Sequence, residues 1–212
     1  MALAAARFSE AEPSDVKFAR TGLWCSIAAF ITWFGMGVES IMRPWQDNRR
    51  DTFWLLPFCF TMAAFICVHR VQRGRSRTEA IGFWIVMAAS ALVLAGSIGL
   101  QLNIAGLKWL GFPGGAMVWL VGLVCFGIGT LMARTLPWYA GVALILFEPA
   151  SILAAFALRH YAPLLERGAY SGNVGKGLAM LVIAFALRSY IRATAMQDAF
   201  YSRLVSTVQT RS

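Results

Sequence analysis

The chain has 212 residues, 58% hydrophobic and only 14% charged, where soluble domains run at roughly half and a quarter. That balance excludes a disordered chain, a collagen-like fibre and a small disulfide-stapled secreted module. Nineteen basic residues against ten acidic ones give a net charge of +9, but a chain with so thin a polar coat reads as a polytopic membrane protein and not as a nucleic-acid binder.

Residues 1–20 read as a cytoplasmic tail. Glu10, Glu12 and Asp15 precede the first apolar run, and there is no basic start followed by a small-residue cleavage site, so the segment does not read as a signal peptide. Ser14 and Asp15 after Pro13 suit the start of a helix that runs on into the membrane.

Six apolar segments follow, each near the roughly 20 residues that cross a hydrocarbon core at about 1.5 Å per residue. They are Thr21–Ile41, with Glu39 its only charge; Thr52–Val68, Ala80–Leu102 and Trp109–Ala133, all uncharged; Leu136–Leu158, with Glu148; and Val174–Ile191, with Lys176 and Arg188. The last spans if its two long basic side chains snorkel to the headgroups; five helices is the alternative count. The runs are continuously apolar, as over residues 88–95, and lack the alternation of barrel strands, so the fold class is an all-α transmembrane bundle. Residues 21–192 form one membrane domain. In the cytoplasmic tail, 193–212, Met196, Phe200, Leu204 and Val208 recur every four residues, a pattern that continues the sixth helix, lies along the membrane surface or meets a partner subunit. The longest loop, about 159–173, is expected outside and is too short to fold alone.

Lys and Arg set the orientation. With the N-terminus inside, 12 basic residues fall on the inner side and 7 on the outer. Arg70, Arg73, Arg75 and Arg77, in the loop between the second and third helices, dominate the difference and face the anionic inner leaflet. Both termini are therefore expected in the cytoplasm. Trp24, Trp84 and Trp138 fall near inner ends and Trp45, Trp54 and Trp109 near outer ends, where indole rings favour the interface; Trp33 and Trp119 lie deep, between helices.

Glu148 is the most informative residue. A carboxylate at mid-membrane costs about 3 kcal/mol on insertion scales and must be neutral, paired or beside water. Pro149 frees the carbonyl around Ile145, which makes a proton or cation site one reading and a hydrogen-bonded packing residue the other. Glu39 and Lys176 lie at matching depths near the outer boundary and are expected to pair. Arg188, near the inner end, is expected to snorkel. His69 and His160 fall at opposite membrane surfaces, roughly 30 Å apart, too far to share a haem or a zinc. No nucleotide, zinc-protease, haem-attachment or nucleophile-elbow motif occurs, so no cofactor, metal or catalytic residue is assigned. Cys25, Cys59, Cys67 and Cys125 sit in apolar runs as small hydrophobes. Small residues four apart, Ala91, Ala95 and Gly99, Gly111 and Gly115, and Ala150 and Ala154, mark close helix contacts within the chain or in a homo-oligomer.

The step Gly127 to Val142 (GIGTLMARTLPWYAGV), with Arg134, Pro137 and Gly141, resembles the helix–Arg-x-x-Pro-aromatic–Gly–helix step of small uncharacterised bacterial, often actinobacterial, integral membrane proteins. The resemblance covers about a quarter of the chain and implies a bacterial inner membrane and no chemistry. The expected function is a non-enzymatic accessory or interaction subunit, in a homo-oligomer or a membrane complex. The alternative is a small proton- or cation-coupled transporter or channel working through Glu148.

Overall fold

The computed structural model describes residues 13–43, 48–73, 75–102, 104–161 and 170–209, and among them every regular element is helical. The helices are α1 (Pro13–Met42), α2 (Asn48–Phe53), α3 (Leu55–Gln72), α4 (Arg77–Gln101), α5 (Ala105–Trp109), α6 (Ala116–Ala133), α7 (Trp138–Ala157) and α8 (Asn173–Gln209). A π-helical turn, Leu110–Gly115, joins α5 to α6, and a 3₁₀ turn, Tyr170–Gly172, leads into α8. Six helices, α1, α3, α4, α6, α7 and α8, are long and apolar enough to cross a membrane. The sixth is among them, so the count is six and not five.

Helix boundaries differ from the apolar runs at both ends of the chain. Pro13 opens α1, with Asp15 in the first turn, where a fixed φ and a negative charge suit a helix start. At the other end α8 continues unbroken for 37 residues, about 55 Å at the helical rise, well beyond the hydrocarbon core. The fourth span begins at Ala116 and not at Trp109, because the stretch holding Pro113 is wound as the wider π turn.

Packing runs in a ring: α1 lies against α3 and α8, α7 joins α8 to α6, and α6 lies along α4. The consecutive helices α3 and α4 share little backbone contact. Side chains of α3 reach across the bundle instead. Phe65 of α3, fully buried, sets ring edges against Phe126 of α6 and Phe147 of α7 and lies near Trp119. Such pairs contribute about 0.5–1.5 kcal/mol each, a useful sum where lipid gives helices no hydrophobic reason to associate.

Glycines let the backbones touch. A Cβ on Gly129 would stand 2.1 Å from the Glu79 backbone nitrogen, and one on Gly82 would stand 2.2 Å from that of Phe126. The α4–α6 seam therefore uses these glycines, with Gly96 against Gly111 above them. The expected stripe is placed otherwise: Ala91 is exposed, and Gly96 takes the place foreseen for Ala95. Gly111 and Gly115 do pack closely, against Gly96 and Val93 of α4, and Ala150 receives Gly175 of α8.

Tryptophan exposure divides by depth. Trp33 and Trp119 are buried, whereas Trp24, Trp84, Trp109 and Trp138 are exposed. Trp54 is the exception, half-buried and stacked on Phe58 with its centroid 5.9 Å from that of Trp33. Trp45, Glu166, Arg167, Gly168 and the tail before Pro13 lie outside the described residues.

A candidate intramembrane ion-pair site

The charges held at membrane depth find partners, though not those that depth alone suggests. Lys176 Nζ lies 2.9 Å from Glu148 Oε1, and Glu39 is taken by Arg50. The expected Glu39–Lys176 pair is thus replaced by two others. Arg50 belongs to α2, which folds back beneath the end of α1 so that its guanidinium reaches both carboxylate oxygens, Nε to Oε2 at 2.5 Å and Nη2 to Oε1 at 2.9 Å. Its Nη2 also donates to the Arg43 carbonyl, one of the acceptors a helix C-terminus leaves open.

Lys176 reaches Glu148 because α8 begins alongside α7 and not beyond it. Gly172 and Gly175 set the start of α8 against Ser151, Ala155 and Ala150, with would-be Cβ distances of 2.4–2.6 Å to the Ala150 and Ser151 carbonyls. On its other side, Gly37 of α1 accepts Val174, and Gly177 lies against Phe34. The Lys176 stem is threaded between α1 and α7 by these contacts. Its ammonium lies 5.3 Å from the ring centre of Trp33 and 5.9 Å from that of Phe147. Both are within cation–π range, worth about 0.5–2 kcal/mol each when desolvated. Trp33 is held in turn by its indole N–H, which donates to Thr61 Oγ1 at 2.8 Å, and Thr61 donates to the Pro57 carbonyl at 2.8 Å.

A second polar cluster closes the opposite end of the bundle. His69 Nδ1, near the end of α3, and Glu79 Oε1, in the first turn of α4, are 2.9 Å apart, with the Glu79 side chain wholly buried. The imidazole stacks flat on Phe83, with ring centres 4.0 Å apart and planes 3° off parallel. One helical turn below, Gln72 donates to Thr130 Oγ1 at 3.1 Å. These bonds tie α3 to α4 and α6 where the backbones barely meet. The sequence does not pair them: Glu79 lies just outside the apolar run that begins at Ala80, and His69 is placed only at a membrane surface. Their separation of ten residues across a tight helical hairpin is the signal that was there to use.

The loop arginines Arg70, Arg73, Arg75 and Arg77 are all exposed. Arg70 lies over the Phe18 ring at 5.9 Å. Arg134 adds to this basic face from a left-handed backbone position, φ 51°, which ends α6 as a glycine would. Pro137 then precedes α7, and Gly141 and Gly127 bring α7 against α6. Arg188 is exposed near the same face, and His160 is exposed beyond α7 at the other. All four cysteines are free, with Cys67 buried against Gly22.

Set beside known protein families, curated proteins and solved structures, the chain matches none.

Proposed function

We propose that the chain is a non-enzymatic, multi-pass protein of a bacterial inner membrane, serving as an accessory or interaction subunit. One observation carries this reading: Glu39, Glu79 and Glu148 each meet a cationic or imidazole partner within the chain. A coupled transporter must pass its ion from one side to the other, whereas here each carboxylate is engaged at its own end of the bundle by a neighbouring helix. The middle of the bundle supports the same view. Phe65, Leu123, Phe126, Leu144 and Ile183 are essentially fully buried there, forming an apolar layer between the Lys176–Glu148 and His69–Glu79 clusters where a conduction path would need polar lining. The length of α8 past its span gives an interaction subunit a surface beyond the bilayer, with Met196 exposed on it.

Proteoliposomes test the choice. The wild type and Glu148→Gln, alone and combined with Lys176→Met to keep the charges balanced, are expected to show the proton and alkali-cation flux of empty vesicles. Flux above that baseline that disappears with Glu148→Gln would overturn the reading in favour of coupled transport.

A further inference from the structure

The surroundings of Lys176 have the chemistry of a receptor for an ammonium ion. A carboxylate oxygen lies 2.9 Å from Nζ and two aromatic rings lie within 6 Å of it. Aromatic faces attract cations through the ring quadrupole, most strongly when those cations are weakly hydrated organic ones. The walls are fixed without the lysine. Trp33 is held by Thr61 and abuts Trp54; Phe147 sets its edge against Phe65; both are 1% exposed. They belong to α1 and α7, while the occupant arrives from α8 on a four-carbon stem with free rotors. The cage is not sealed, since the Lys176 and Glu148 side chains keep 16% and 20% of their surface exposed.

We propose that Trp33, Phe147 and Glu148 form a binding site for a small organic ammonium ion, with the Lys176 ammonium as its resident, displaceable occupant. A hard metal cation fits poorly, because it needs a shell of several oxygens and the cage supplies one carboxylate. Among the described residues no three metal-ligating side chains gather anywhere. The site does not depend on the accessory role proposed above, because it is read by binding and not by flux.

Purified full-length protein in nanodiscs, titrated with ethylammonium chloride, tests it. In Lys176→Ala, the unfolding temperature should rise with ethylammonium and not with sodium chloride at equal ionic strength. Wild type should need about tenfold more ethylammonium for the same shift, because its own lysine occupies the cage most of the time. Adding Glu148→Gln to Lys176→Ala should abolish the response. Lys176→Met, which keeps the stem's packing and leaves the head of the cage vacant, should respond to methylammonium and decides the matter if the alanine variant does not fold. A response to sodium equal to that to the organic ion, a response that survives Glu148→Gln, or none in Lys176→Met would overturn the proposal.

Discussion

At the scale of residues, the ion pairs make opposite demands on single and paired substitutions. Glu148 and Lys176 are both mostly buried, so removing one partner leaves a largely desolvated charge without its counter-ion. Lys176→Met should therefore cost about 3–5 kcal/mol, read as a fall in unfolding temperature. Lys176→Met with Glu148→Met removes both charges and should recover most of that loss; a double variant as unstable as the single would show that the charges contribute nothing through each other. That these charges need partners was legible from sequence, because charges in an apolar run stand out. Which would pair was not. Position along a helix follows from the residue number, but the direction a side chain faces follows from how helices pack. Glu39 and Lys176 match in depth, yet α2 delivers Arg50 to the first and α7 delivers Glu148 to the second.

At the scale of elements, glycine decides how near two helices come. Gly129→Ala places a methyl group against the Glu79 backbone at 2.1–2.3 Å, where no side chain can yield. α4 and α6 must move apart, at a cost of at least the 1–3 kcal/mol typical of overpacking, and the His69–Glu79 and Gln72–Thr130 bonds go with the seam. Gly35 of α1 has nothing within 4 Å of its would-be Cβ. There the same substitution should stabilise by about 0.5–1 kcal/mol, through lower entropy in the unfolded chain. Thermal unfolding of the two variants in one detergent compares them directly, and shifts of the same sign would refute the seam. The spans themselves were legible because lipid imposes a length and a composition. The end of α8 was not, because hydropathy marks where a helix leaves the membrane and not where it stops. Residues 192–199 (RATAMQDA) consist largely of good helix formers, so the helix continues past the last apolar turn.

At the scale of the whole molecule, α1 and α8 lie antiparallel along their lengths: Gly22 faces Leu187 at one end and Gly37 faces Val174 at the other. The start of α1 and the end of α8 therefore lie toward the same face, the one that also carries the α3–α4 loop. Which side of the membrane that face occupies is a matter of charge. The sequence assigns 12 Lys and Arg residues to this side and 7 to the other, an excess that predicts cytoplasmic placement. Fusions to either end should then show reporter activity characteristic of the cytoplasm, with fluorescent protein bright and alkaline phosphatase silent. The margin is narrow and concentrated. Changing Arg70, Arg73, Arg75 and Arg77 to Gln leaves eight basic residues against seven, and a fraction of the molecules should insert inverted, with phosphatase activity appearing at both termini together. Because six spans link the two ends, activity at one terminus alone would contradict the fold, whereas unchanged silence at both would show that the remaining basic residues suffice to set the orientation.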